Sequence, residues 1–319
     1  MLYFHDDLAL ECGSSSDKCI SRSQLIRVLN SFDYESFNDF QNELSCSKLE
    51  DIWHALDGKE LRGSIDGVKG EKRGENIVLK ANHQTNQSQV IGYYSGKKTS
   101  EKTVIKDFFK AQNNLKGSKY TLDALHNSQE LLEMIHQKEG TYLVQIKKNQ
   151  KVLLENLQDT VQLTKPLESY KTEEKSHGRI QKRTYELYGI NPENIEQRWH
   201  TTGITTLIKV TRDITQVKTA KTSLEYSYYI SNQVADAKDL ATAIRGHWTI
   251  EKNNYIRDVN FGEDHIKSFK VNLQRSLAGI LTCVLNMTLQ MNPKLNLNEK
   301  RECLANSKKV AKQTLKKFL

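Results

Sequence analysis

The sequence predicts a mixed α/β protein, a single sheet with helices packed on it, and three observations carry that expectation. Period-two and helical-period segments follow one another as β-β-β-α-β-α-β up to about residue 147. Residues 175–231 are β-branched and aromatic, with no helical period between them. From Asp236 the apolar residues return to helical spacing.

The elements are predicted in this order. A helical segment covers about 21–45, where Leu25, Ile26, Leu29 and Phe32 share helical spacing. "DIWHAL" at 51–56 is a strand that runs into Asp57 and Gly58. "ENIVLKAN" and "SQVIGYYS" alternate at period two, and the polar "HQTNQ" between them makes a hairpin. "SEKTVIKDFFKAQ" places Val104, Ile105, Phe108 and Phe109 on one helical face, with Ser100 as cap. A strand at 118–123 ends on Asp123, a helix follows with Asn127 and Glu130 at capping-box spacing, and "GTYLVQIK" at 140–147 is the next strand. "HGRIQKRTYELYG", "TTLIKVTRD" and "SLEYSYYIS" are strands of a β-rich insertion. "DAKDLATAIRGHWTIEKNNYIRDV" is a helix on which Leu240, Ile244, His247, Glu251 and Asp258 share one face. "SLAGILTCVLNMTLQ" at 276–290 is a core helix, too short to span a membrane.

Composition narrows the function classes. The 319 residues are 37% hydrophobic, enough for a buried core, and Lys plus Arg exceed Asp plus Glu by 47 to 39. A net charge of +8 admits a polyanionic partner without requiring one. Cys12, Cys19, Cys46, Cys283 and Cys303 are odd in number and scattered, which supports neither a disulfide framework nor a zinc site and fits a reducing cytoplasm. The N-terminal apolar run contains acids and no preceding basic region, unlike a signal peptide.

Three acids stand out by position: Asp57 and Asp123 at strand ends, and Glu251 on the apolar side of a helix. Buried carboxylates stay charged only when a cation holds them, and an oxygen-only ligand set suits Mg²⁺ or Mn²⁺. Each acid also has a plain structural reading. Asp123 can cap the following helix, and Glu251 can lie where the helical stripe leaves the core.

The blocks "LDGKELRGS" (56–64), "YTLDALH" (120–126), "YLVQIKKNQ" (142–150), "HGRIQKR" (177–183), "YYIS" (228–231) and "IRGHWTIEKNNYIRDVNFGED" (244–264) occur in that order. Together they resemble the H-repeat-associated, insertion-sequence type of DDE transposase, over about residues 20–290. The resemblance implies a ribonuclease H-like mixed sheet flanked by helices, with a β-rich insertion before the helix carrying the catalytic Glu. It also implies that Asp57, Asp123 and Glu251 are the catalytic and metal-holding acids, with Asp66 the competitor for the first position. Related transposases carry Tyr, Arg, Glu and Lys on the last helix. Here those places hold Ile244, His247, Glu251 and Asp258, so only the Glu is kept.

The implied activity is transposition: cutting and joining DNA strands by phosphoryl transfer with two Mg²⁺ or Mn²⁺ ions. Double-stranded DNA, at the element ends and the target, is the implied partner. Lys147, Arg179, Arg245 and His247 are the candidate DNA contacts, and the basic C-terminal helix around Lys312 could add non-specific phosphate contacts. A homo-oligomer on DNA, a bacterial cytoplasmic and nucleoid-associated location, and no membrane association complete the expectation. A catalytically silent DNA-binding relic and a metal-dependent nuclease are the alternatives. The expected division is 1–48 helical N-terminal segment, 49–150 first part of the catalytic domain, 151–234 insertion, 235–292 catalytic completion and 293–319 basic tail. The part before Ser21 is shorter than a DNA-end-binding domain should be, so a truncated binding region is expected there.

Overall fold

The computed structural model describes residues 21–44, 51–67, 73–96 and 99–318. The expectation for residues 1–20 therefore lies outside the described residues. Two helices open the described chain, α1 (Arg22–Ser31) and α2 (Tyr34–Leu44), where the sequence suggested one segment. Ser21 and Gln24 close a reciprocal capping box on α1, and its C-cap Phe32 is extended, which ends the helix.

Nine strands form one sheet in the order β3-β2-β1-β4-β5-β9-β8-β7-β6. They are β1 (Trp53–Glu60), β2 (Glu75–Asn82), β3 (Ser88–Ser95), β4 (Lys119–Leu122), β5 (Thr141–Ile146), β6 (Glu168–Ser176), β7 (Arg179–Gly189), β8 (Thr206–Gln216) and β9 (Thr222–Ser231). β1 pairs antiparallel with β2 and parallel with β4, and β4 pairs parallel with β5. The strands from β5 outward through β9, β8, β7 and β6 are joined antiparallel. The protein is thus a mixed α/β fold whose large, mostly antiparallel sheet is flanked by helices.

The remaining helices are α3 (Thr99–Ala111), α4 (Gln129–Gln137), α5 (Lys151–Leu163), α6 (Ala237–Gly246), α7 (Trp248–Tyr255), α8 (Val271–Leu289), α9 (Leu297–Asn306) and α10 (Lys308–Phe318). Period-two alternation splits the core between the two faces of the sheet. Leu56, Val78 and Val144 join Phe109 of α3, Leu132 of α4 and Leu153 of α5. Ala55, Ile77 and Leu79 join Ile250 of α7 and Ala278 of α8, while Leu143 joins Leu240 of α6.

Four local expectations are corrected. β1 does not stop at Asp57. Its pairing with β2 continues from Asp57↔Leu79 to Glu60↔Asn76, which keeps the backbone extended past the acid. α3 begins at Thr99, so Ser100 lies inside its first turn. The N-cap of α4 is Ser128, because Asn127 instead ends a 3-10 turn at Ala124–His126. The helix from Asp236 is broken near His247 into α6 and α7, then widens into a π turn at Ile256–Asn260. Among the described residues, no helix is long and apolar enough to cross a membrane.

Candidate active site

Strand register brings the first two acids side by side. β1 and β4 pair as Trp53↔Lys119, His54↔Tyr120 and Ala55↔Thr121. Continued by two residues, the same register sets Asp57 opposite Asp123, on neighbouring strands about 4.8 Å apart. Asp57 is thus a mid-strand residue of β1 at the point where β4 has just ended.

The charges there are crowded. Burial first, then the nearby carboxylates of Glu101 and Asp123, push the Asp57 carboxyl up to about 7. Its side-chain neighbour from α7 is Asn254, whose Nδ2 donates to Oδ2 at 3.5 Å. Asp123 Oδ1 accepts from the Leu125 amide at 2.8 Å and caps the 3-10 turn, so the structural reading of this residue also holds. Glu251, on α7, is raised by burial, lowered by Lys147 and raised by Asp123. Asp123 therefore sits within electrostatic reach of both other acids. Asp66 is exposed on the loop after β1.

Behind the acids lies a buried network that the sequence reading missed. Glu101 of α3 is 1% exposed. Its Oε1 pairs with His126 Nε2 at 2.9 Å, and its Oε2 accepts from the Tyr94 hydroxyl at 3.0 Å. His126 Nε2 also lies 3.7 Å from Asp123 Oδ1. Gly58 is needed for this arrangement, because a Cβ there would stand 2.4 Å from Glu101 Oε2. A signal was present: Glu101 precedes Ile105 and Phe108 by four and seven residues, an acid on the apolar face of α3. His126 closes the quoted block "YTLDALH".

The candidate DNA contacts are dispersed. Lys147 is exposed after β5 and is the cation that acts on Glu251. His247 Nδ1 lies 3.0 Å from Thr121 Oγ1, and burial lowers its pKa, which makes it a packed neutral ring. Arg245 is held by Glu174 of β6 at 2.7 Å. Arg179 is exposed at the start of β7, just after a tight turn in which His177 and Gly178 have φ of 48° and 70°. Among the described residues, no three His, Cys, Asp or Glu side chains are arranged as a metal cage.

The transposase DDE domain model matches residues 55–287, a span that contains all three acids. The chain belongs to the transposase DDE domain family. In Escherichia coli K12 it is similar to "Putative protein YbfL", 31% identical over 262 residues, which are 80% of this chain and 68% of the relative. It is similar to "Putative transposase YncI" of Escherichia coli O157:H7 at 30% over 240 residues, 73% of this chain and 60% of that one. The "H repeat-associated putative transposase YhhI" of Escherichia coli K12 matches at 30% over 262 residues, with the same 80% and 68% coverage. The chain thus spans 60% to 68% of the lengths of these relatives. The crystal structure of Streptomyces venezuelae DesVI aligns over 43% of this chain and 52% of its own at 8% identity, with a TM-score of 0.19, which bears on nothing here.

Proposed function

We propose that this chain is the transposase of a bacterial insertion sequence, cutting and joining DNA strands with Asp57, Asp123 and Glu251 as its catalytic acids. The observation that carries the reading is the register of β1 on β4, which sets Asp57 opposite Asp123 within a chain of the DDE family. The strand order β3-β2-β1-β4-β5, antiparallel then parallel, fits a ribonuclease H-like catalytic domain. On that reading β6–β9 are the β-rich insertion between β5 and the helices that carry Glu251. The expected division is kept: 49–150 and 235–292 are the two parts of the catalytic domain, 151–234 the insertion, and 1–48 and 293–319 the flanking segments.

The donor set fits hard divalent cations. Asp57 is buried beside the carboxylates of Glu101 and Asp123, and like charges in a dry place favour either a proton or a metal. Asp57, Asp123 and Glu251 would hold two Mg²⁺ or Mn²⁺ ions. Bound there, the ions would activate a water or a 3′ hydroxyl and stabilise the leaving oxygen. The chain's own residues do the rest. His126 and the Leu125 amide hold Asp123 in place, Glu101 fixes His126, and Lys147 offers a positive charge to a phosphate beside Glu251. His247 is a packing residue at Thr121 and Arg245 is engaged by Glu174, so Lys147 and Arg179 remain the stronger DNA contacts. Double-stranded DNA, assembly as a homo-oligomer on it, and a cytoplasmic, nucleoid-associated location belong to the same reading.

Nicking of a DNA fragment carrying the element's own ends, with Mg²⁺ or Mn²⁺ and a Ca²⁺ control, is the test. Wild-type protein should cut, and Asp123→Asn should still bind but cut at least about 10²-fold more slowly, the scale for losing one major electrostatic stabiliser. Wild-type protein that binds those ends without cutting would overturn the reading in favour of a DNA-binding relic.

A further inference from the structure

Strand β1 meets helix α7, and the π turn that continues it, at three levels. The face of β1 that carries Asp57 also carries Ala55 and Lys59, two residues to either side. Ala55 is fully buried in the same apolar cluster as Ile250. Asp57 meets Asn254. Lys59 Nζ lies 2.6 Å from Asp258 Oδ1. A step of two along a strand advances about 6.6 Å and the step from Ile250 to Asn254 along α7 about 6 Å, so the two elements stay in step there, and Asp258 follows in the π turn Ile256–Asn260.

The third level carries the charge. Lys59 is 6% exposed and also lies 2.9 Å from Glu263 and 3.6 Å from Asp264. Arg257, fully buried, donates through Nε to Glu263 at 3.0 Å, through Nη1 to Thr282 Oγ1 at 3.0 Å and through Nη2 to the Ala278 carbonyl at 3.2 Å, the last two on α8. The contact that fixes the C-terminal end of α7 is thereby tied to a second helix. Apolar packing in the cluster of Ala55 and Ile250 tolerates sliding, whereas a shift by one turn, about 5.4 Å, takes Asp258 away from the buried Lys59 ammonium. Glu251 rides on the same turn of helix as Asn254, so its place opposite β1 and β4 is set by where this pair locks.

We infer that Lys59 and Asp258 are positioning residues: their ion pair, closed on the buried Lys59, sets the register of α7 on β1 and so the distance of Glu251 from Asp57 and Asp123. The inference rests on the reading of Glu251 as a metal-holding acid. It also accounts for an acid at the place where related transposases carry a Lys, since here the cation comes from the strand.

The test compares wild type, Asp258→Asn and Asp258→Ala by Mn²⁺ affinity from electron paramagnetic resonance, by hydrogen exchange of the α7 amides, and by the unfolding midpoint. Asp258→Ala should weaken Mn²⁺ binding at least about 10-fold, the scale seen when a residue supporting a metal ligand is removed. It should also speed exchange at residues 251–255 about as much, with β4 and β5 unchanged. Asp258→Asn, which still accepts from Lys59, should recover most of both losses and serves where the Ala variant does not fold. A lower unfolding midpoint with unchanged Mn²⁺ affinity and unchanged α7 exchange would overturn the inference, leaving the pair a purely structural one. Wild-type protein that binds no Mn²⁺ would break the metal reading instead, and α7 exchange would then decide the register claim by itself.

Discussion

The sheet has two halves built on different terms. In β2, β4 and β5 most residues are buried, β1 is buried at Ala55, Leu56 and Lys59, and both faces are covered by helices, so the backbone ladder rather than the side chains decides where a polar group ends up. In β6 through β9 the strands are longer, and their outer ends alternate exposed and half-buried residues. Charges there neutralise one another across strands: Arg183 with Glu174 at 3.0 Å, Lys209 with Glu186 at 3.0 Å, and Arg212 with Glu225. The first half concentrates like charges, Asp57 beside Glu101 and Asp123, while the second disperses opposite ones. Crowded carboxylates in a covered site cost folding free energy, and function is the usual reason for keeping them. Cross-strand pairs on an exposed ladder need no such reason.

The largest expected effect lies in the crowded half. Asp123→Asn and Glu251→Gln should each slow strand cutting by at least about 10², and the double variant should be little worse than either, because groups acting as one unit are not additive. Single-turnover cutting rates would show this, and additive losses would mean the two acids work separately.

Next comes the support behind them. Glu101→Ala leaves His126 and the Tyr94 hydroxyl buried without their acceptor, at a cost of about 1–3 kcal/mol for each orphaned group. Thermal unfolding should therefore register Glu101→Ala far more strongly than Glu225→Ala, its counterpart on the exposed ladder. Equal effects would erase the distinction between the halves.

Acid should also act mainly on the first half. Burial, with Lys80 close by, lowers His54 to about 4, and burial, with His247 close by, lowers His83 to about 3. Both rings are neutral when folded and take up protons when unfolded at 6.5, so the folded state is favoured above that pH and loses ground as pH falls below it. The loss should be about 1.4 kcal/mol per pH unit for each ring until its folded value is reached. Denaturant midpoints of His83→Gln measured from pH 7 to pH 5 should fall less steeply than those of wild type, and parallel curves would remove His83 from the account.

The smallest effect is expected at Arg245, which Glu174 already engages on the surface. Arg245→Ala should change stability by less than about 1 kcal/mol and leave the salt dependence of DNA binding alone, whereas Lys147→Ala should reduce the log-log slope by about 0.9, one phosphate contact. A slope change at Arg245 equal to that at Lys147 would return Arg245 to the DNA surface.

The order of strands and helices through β5 was legible because period-two and helical spacing are local properties, visible in "ENIVLKAN" or around Ile105 and Phe109, whereas α5 and the largely exposed β6 were not read from the sequence. The extent of β1 was not, since the strand passes Asp57 only because β2 supplies partners through Asn76. The three acids stood out as residues, yet what opposes them depends on register between segments far apart in sequence. Glu101 read as one more charge on an amphipathic helix, and His126 as the tail of a motif. Lys59 and Asp258 lie in two separately recognisable blocks whose pairing only the docking of α7 on β1 creates. Arg245, read as a DNA contact, met a glutamate on β6 that local spacing could not have indicated.

The central claim is that Asp57 of β1, Asp123 just after β4 and Glu251 of α7 form one cation site. Fe²⁺ substituted for Mg²⁺ in the presence of ascorbate and peroxide cuts the polypeptide next to wherever the ion is held, and mass spectrometry locates the cuts. The account requires cleavage near residues 57, 123 and 251 together, competed away by excess Mg²⁺ and lost in Asp57→Asn. Cuts that cluster elsewhere, or that survive Asp57→Asn, would contradict it.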